Sequence, residues 1–292
     1  MNAELIDSIA LLRERVAEVR RTGAVIGLVP TMGALHACHS RLIELARGEC
    51  QSVIVSIFVN PLQFDRSEDL HDYPRAFDAD LEACRRLGVD FVFAPSVSEM
   101  YLVRPSCTVD PGYLAEHLCG KHRPGHFRGV ATVVLKLFEI VRPDRAYFGE
   151  KDAQQLAILR RLVADFNVPV QIVGVQTVRE PDGLAFSSRN RLLSRDERQS
   201  AVALLRALKE AERLIATGMA DVESIKARAS AEIPQHPSLK LEYLDIVNPD
   251  DMQPVRHITG PVRIAGALWV GSTRLIDNLY CMPPREDRSG TT

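Results

Sequence analysis

The sequence has no C-x-x-C pair, no excess of either charge, no apolar run long enough to cross a bilayer, and no internal repeat or low-complexity linker. Each absence excludes a class. The six cysteines, Cys38, Cys50, Cys84, Cys107, Cys119 and Cys281, are scattered, as expected of reduced thiols in a cytoplasmic protein. Lys and Arg total 36 against 38 Asp and Glu, so the net charge of -2 points to neither a nucleic-acid nor a membrane partner. Residues 1–21 read as an amphipathic helix with Leu5, Ile6, Ile9, Leu12, Val16 and Val19 on one side. Acidic residues come early and no small-residue cleavage site follows, so neither a signal nor a transit peptide is expected. With 292 residues and 46% apolar content, the chain can bury a sizeable core, and its length suggests one large domain and one smaller.

What is present is a succession of short apolar runs and helical segments. Val25 to Val29 predicts a buried parallel strand stopped by Pro30; Thr31-Met32-Gly33 predicts a turn, and helical spacing begins near His39. Strand, tight turn and helix N-terminus make a phosphate cradle, where free backbone N–H groups and the helix dipole favour an anion. His36 and His39, three residues apart, project towards one ligand. Alone they are equally a surface and a structural histidine, and no third ligand at familiar spacing supports a metal. Their position after a first strand is what favours a nucleotide.

Further strands are predicted at Ser52 to Val59, Val89 to Ala94, Arg145 to Phe148 and Val168 to Val175. Helices are predicted near Ala76 to Leu87, Phe127 to Val141 and Ala153 to Phe166. Residues 95–120 read as an insertion with a short strand and a helix. The alternation implies α/β architecture: a Rossmann-like, doubly wound parallel sheet over residues 1–180. Beyond Arg179, the turn chemistry of Glu180 to Gly183, a long helix from about Arg195 to Thr217, and strands meeting at Gly271-Ser272 imply a smaller α+β C-terminal domain, residues 181–292, with an antiparallel sheet. The last dozen residues read as a disordered tail.

Four other stretches carry chemistry. Asn60 and Gln63 lie just past the second strand, where carboxamides both donate to and accept from a substrate with hydroxyl and carboxylate groups, or simply stabilise a loop. Arg123 to Val130 sets two arginines and a histidine at a helix start; its plain alternative is a solvated basic turn, the expected fate of Arg128. Gly149-Glu150-Lys151-Asp152 joins a strand end to a helix, and Lys151 and Gln155 are four apart. Lys151 is either a point charge for phosphate oxygens or a solvated lysine neutralised by Glu150 or Asp152. The Phe186-Ser187-Ser188-Arg189 loop offers hydroxyls and a guanidinium to a triphosphate, or is an ordinary linker.

Together PTMGALH with His39, SIFVNPLQF, the Tyr73-Pro74 pair, Arg123 to Leu137, FGEKD, VADFNVPV and DGLAFSSRNR resemble the pantothenate synthetase (pantoate–β-alanine ligase) family, with a weaker return at RLIDN, Arg274 to Asn278. The resemblance implies a magnesium-dependent homodimer with an ATP-binding domain and a C-terminal lid, acting on pantoate and β-alanine. It implies that the pantoate carboxylate attacks the ATP α-phosphate, releasing pyrophosphate, and that β-alanine displaces AMP from the enzyme-bound pantoyl adenylate. By motif position, Met32, Gly33, Ala34, Leu35, His36, Ala37, Cys38 and His39 line the ATP site with Gly149, Glu150, Lys151, Asp152, Val178 and the Phe186 to Arg189 loop. His39, His36 and Lys151 are the catalytic candidates, with His39 as proton donor. Gln63 and Gln155 hold pantoate, supported by Asn60 and Tyr73.

One departure stands out. The family's H-x-G-H has glycine where this chain has Cys38. A side chain at such a contact costs about 1–3 kcal/mol unless the turn relaxes, roughly ten- to a hundredfold in ATP affinity. A nucleotidyltransferase without the amide-forming step, a paralogue using another hydroxy acid or amine, and a non-catalytic nucleotide-binding relic remain alternatives. Retention of His36, His39, Lys151, Ser187, Ser188 and Arg189 argues against the relic.

Overall fold

Short β-branched runs dominate the first half of the chain, and a run apolar on both faces is stable only where both faces are covered. The computed structural model describes residues 3–103 and 105–284. It divides into two compact units, one built from residues up to Ala115 with Gly120–Val178, the other from Glu116–Cys119 with the residues from Arg179 onward. In the larger unit, β1 (Glu4–Ile6), β2 (Ile26–Thr31), β3 (Ser52–Ile57), β4 (Phe91–Phe93), β5 (Arg145–Gly149) and β6 (Gln171–Val175) form one sheet in the order β1-β4-β3-β2-β5-β6. Every pairing is parallel. Among the described residues the helices between strands are α1 (Ile9–Arg21), α2 (Ala37–Glu49), α3 (Ser67–His71), α4 (Phe77–Arg86), α5 (Val97–Met100), α6 (Leu118–His122), α7 (His126–Val141) and α8 (Ala153–Asp165). Leu28, Val29, Val53 and Val55 are wholly buried. Strand order runs one way from β2 through β3 to β4 and the other way to β5 and β6, so the switch point lies between the carboxyl ends of β2 and β5, where such sheets bind ligands.

Several expectations need correction. Leu5 and Ile6 belong to a strand, not to the first helix: Leu5 pairs with Val92 and Ile6 with Phe93, and α1 starts only after Ser8, whose Oγ accepts from the Leu11 N–H at 3.2 Å. Pro30 does not stop β2, which continues to Thr31. The Thr31 carbonyl accepts from Phe58 on the β3 side, so Pro30 faces the β5 side, where pairing ended at Leu28 and no donor is needed. No strand occurs among the described residues of 95–120. The predicted 195–217 helix is two, α9 (Arg195–Ala201) and α10 (Ala203–Ala216), separated at Val202.

In the smaller unit α11 (Val222–Ser230) follows, and β7 (Leu239–Val247), β8 (Val262–Val270) and β9 (Thr273–Cys281) form an antiparallel sheet in that order. Val270 pairs with Thr273 across Gly271-Ser272, and Gly271 has φ +57°, the positive value required at the first position of a Gly-led hairpin turn. Leu204, Leu208, Ala211 and Ile215 of α10 pack in one core with Ile246, Ile264 and Leu268. The expected disordered tail falls, from residue 285 on, outside the described residues.

Candidate active site

The loop leaving β2 is held from within. The Thr31 hydroxyl donates to the Ser56 carbonyl at 2.7 Å and accepts from the Gly33 N–H at 3.2 Å. Gly33 and Ala34 follow in the left-handed region, φ +83° and +51°. Asp80, 2% exposed in the first turn of α4, accepts from the Ala34 N–H at 2.8 Å and the Leu35 N–H at 2.7 Å. His36 caps α2: its Nδ1 accepts from the Cys38 N–H, and its own N–H donates to His39 Nδ1, both at 3.3 Å. The expectation of a cradle of free N–H groups is therefore corrected. The amides of Gly33, Ala34, Leu35, His36 and Cys38 all have protein acceptors, because the tight left-handed turn aims them inward.

What remains for an anion is the Ala37 amide in the first turn of α2, and side chains. The His36 and His39 rings lie 4.2 Å apart at 41°. Since each Nδ1 accepts a main-chain N–H, each ring carries its proton on Nε2. Burial, then His36 and Lys151, push His39 down to about 3, so it is neutral at ordinary pH. Lys151 sits in the 3-10 turn Glu150–Asp152 that leaves Gly149 at the end of β5. Burial pushes the Cys38 thiol up, while Lys151 and the Val178 main chain pull it down, so these three candidates are neighbours. Met32 and Leu35 are half-buried and Ala37 is exposed; Glu150 is half-buried and Asp152 exposed. Among the described residues no three His, Cys, Asp or Glu side chains form a metal cluster.

A second group gathers after β3. Asn60, 1% exposed, accepts from the Leu62 N–H and the Tyr101 hydroxyl, and donates to Gln63 Oε1 and the Gly129 carbonyl, each at 3.1 Å. Gln63 Nε2 lies 3.0 Å from Met32 Sδ, linking this turn to the loop after β2. His126 Nδ1 donates to the Gln63 carbonyl at 2.7 Å, and Arg123 donates to His126 Nε2 at 3.2 Å. Burial, then Arg123, push His126 down to about 4. A Cβ on Gly129 would meet the Leu62 carbonyl oxygen at 2.2 Å, so α7 can approach the turn this closely only through glycine. Arg128 is exposed and paired with Asp110 at 2.7 Å, the solvated arginine expected. Tyr73 stands edge-on to Phe64, rings 5.7 Å apart, and Gln155 is half-buried in the first turn of α8.

The Phe186 to Arg189 loop belongs to the smaller unit. Ser187 is buried and caps the turn Ser188–Leu192 by accepting from the Arg189 N–H at 3.3 Å; Phe186 and Ser188 are half-buried and Arg189 exposed. Asn190 donates to Glu180 and to the Ala185 carbonyl, Arg198 holds both Glu180 oxygens, and Arg179 forms a double hydrogen bond with Asp277. Sequence reasoning missed Asp80 and this brace as supporting residues, and named His126 at its helix start without a task. The RLIDN stretch, which contains Asp277, and DGLAFSSRNR, which contains Asn190, were signals for the brace.

The model of the Pantoate-beta-alanine ligase family matches residues 4–280. A bifunctional pantoate ligase/cytidylate kinase from Thermosynechococcus vestitus is 53% identical over 256 residues, 87% of this chain and 50% of that protein. The chain thus spans about half the length of the bifunctional relatives it matches. The pantothenate synthetase of Thermus thermophilus superposes with TM-score 0.87 at 43% identity, covering 94% of this chain and 98% of that one. The pantoate-beta-alanine ligase of Francisella tularensis, solved with beta-gamma ATP and beta-alanine, superposes with TM-score 0.80 at 34% identity over 95% and 97%. With the parallel sheet, its switch-point histidines and lysine, and a match over nearly the whole chain, the protein belongs to the pantoate–β-alanine ligase family.

Proposed function

We propose that the chain condenses pantoate with β-alanine at the expense of ATP, through an enzyme-bound pantoyl adenylate. The observation that carries this reading is the His36 and His39 pair, rings 4.2 Å apart, in the segment that follows β2, with Lys151 in the turn that leaves the neighbouring strand β5. Family membership and the Francisella relative's complex support it. A carboxylate acylates an amine poorly until one oxygen becomes part of a good leaving group. The pantoate carboxylate forms a bond to the α-phosphorus as the bond to the pyrophosphate oxygen breaks. The β-alanine nitrogen then bonds to the acyl carbon, the bond to AMP breaks, and the ammonium proton leaves.

In this mechanism Lys151 is a point charge on the phosphates, and the Nε2–H groups of His36 and His39 donate to phosphoryl oxygens. His39 thus acts as a hydrogen-bond donor rather than as an imidazolium acid, although an arriving triphosphate raises its affinity for a second proton. Gln63 and Gln155 hold the hydroxyls and carboxylate of pantoate, with Asn60 and Tyr73 in support. Gly149 to Asp152 and Val178 complete the nucleotide pocket. We assign residues 1–180 to ATP and pantoate binding and residues 181–292 to a lid that contributes Phe186, Ser187, Ser188 and Arg189. Magnesium, when bound, would neutralise triphosphate charge; among the described residues no cluster of three His, Cys, Asp or Glu side chains could hold it, so the phosphates would supply most of its ligands. Function as a homodimer in the cytoplasm belongs to the same proposal; among the described residues no helix is long and apolar enough to cross a membrane.

The test mixes protein, ATP, magnesium and pantoate and follows pyrophosphate before and after β-alanine is added. About one equivalent per site, then turnover to AMP and pantothenate only with the amine, is the expected course. No pyrophosphate with pantoate at saturating ATP would refute the reading.

A further inference from the structure

Asp80 is a buried carboxylate that the mechanism does not use, and it lies directly behind the loop assigned to ATP. Its hydrogen bonds go to two consecutive main-chain amides, Ala34 at 2.8 Å and Leu35 at 2.7 Å. A negative charge behind an anion site repels the anion, so its presence needs a structural return. The loop supplies one. Ala34 adopts φ +51°, a region that L-residues with a side chain enter at a cost, and it follows Gly33 at +83°. A Cβ on Gly33 would meet Asp80 Oδ2 at 3.0 Å and Ile57 Cγ2 at 3.2 Å, so the loop is drawn down onto the carboxylate. His36, which caps α2 and stacks against His39, is the next residue after the second clamped amide.

We propose that Asp80 is the positioning residue of the ATP loop: by holding the Ala34 and Leu35 amides it fixes the left-handed Gly33-Ala34 pair and thereby where His36 and His39 meet the triphosphate. The two histidines then owe their placement to a helix that reaches the loop from 46 residues away. This rests on reading the loop as the ATP site.

The test measures ATP affinity by equilibrium titration without pantoate, together with the KM of each substrate, in wild type, Asp80→Asn and Asp80→Asn/Ala34→Gly. Asparagine keeps the shape but turns an NH2 towards one of the two amides, so ATP affinity falls about tenfold or more. The pantoate KM stays near wild type. Glycine at position 34 adopts the left-handed conformation without the clamp, so the double variant recovers part of the lost ATP affinity. A residue that merely stabilised the fold would weaken both substrates and gain nothing from Ala34→Gly. Wild-type ATP affinity in Asp80→Asn, or equal loss for both substrates without rescue, overturns the positioning role while leaving the ligase reading intact. A wild type that binds no ATP overturns both. If Asp80→Asn does not fold, Asp80→Glu, which keeps the charge and both acceptors but moves them by one methylene, carries the same comparison: an ATP-selective loss supports the role and wild-type affinity overturns it.

Discussion

In the loop after β2 the main chain is fastened inward, its amides from Gly33 to His36 and that of Cys38 taken by Thr31, Asp80, His39 and His36, and the imidazoles, with the Ala37 amide, are what it offers an anion. In the turn after β3 the fastening extends to the side chain proposed to hold the acid, with Gln63 Oε1 accepting from Asn60, Nε2 on Met32 Sδ and its main-chain carbonyl accepting from His126. The difference matches what each would bind. A triphosphate needs charge and strong donors on a loop held in place; a small hydroxy acid is recognised by a carboxamide whose direction is itself fixed in advance.

The comparison breaks most sharply if one region is disabled alone. Lys151→Ala should lower the rate of pyrophosphate release about a hundred- to a thousandfold, the usual size for loss of a group that stabilises transition-state charge, with pantoate affinity retained. Rapid-quench measurement of the first turnover checks it; an unchanged rate would make Lys151 a solvated surface lysine. Gly129→Ala strikes the other region. Its Cβ would lie 2.2 Å from the Leu62 carbonyl oxygen, so the turn must move, at about 3 kcal/mol of stability. Denaturant unfolding and the pantoate KM should both register it, and an unaffected pantoate KM would detach Gln63 from the acid substrate.

Acid sharpens the comparison. His126 binds its proton near 6.5 when exposed and near 4 when folded, so the unfolded chain protonates first as pH falls. Its contribution to stability is complete above pH 6.5 and is lost as pH falls towards 4, on the order of 3 kcal/mol over that window. His126→Gln should be less sensitive to pH across the same interval, as measured by unfolding at several pH values; an identical pH dependence would contradict the burial argument. The smallest effect is expected at Cys38. Cys38→Gly should lower the KM for ATP by about tenfold if the thiol crowds the nucleotide, and an unchanged KM would show that the loop already makes room.

Much of the larger unit was readable in the sequence because parallel strands buried on both faces must be short apolar runs, as β2 and β3 are. β1 escaped because Leu5 and Ile6 also fit the helical period of Ile9, Leu12 and Val16; only Ser8 marked the boundary. Pro30 misled because its effect depends on whether a neighbouring strand needs its N–H, which sequence does not record. In the candidate site, His36, His39, Lys151 and Gln63 could be named from contiguous motifs. Asp80 and His126 could not be assigned their tasks, since their partners lie 46 and 63 residues away and are set by tertiary packing. The supply of free amides was misjudged for the same reason: a helix start predicts donors, but an acceptor arriving from another element decides whether they are already taken.

The most direct test of the central claim uses pantoate carrying heavy oxygen in its carboxylate, with ATP, magnesium and β-alanine, and mass analysis of the products. Attack on the α-phosphorus predicts AMP with one heavy oxygen and pantothenate retaining the other. Heavy oxygen in inorganic phosphate alongside ADP, or AMP without label, would show that the carboxylate is not activated as an adenylate and would contradict the account.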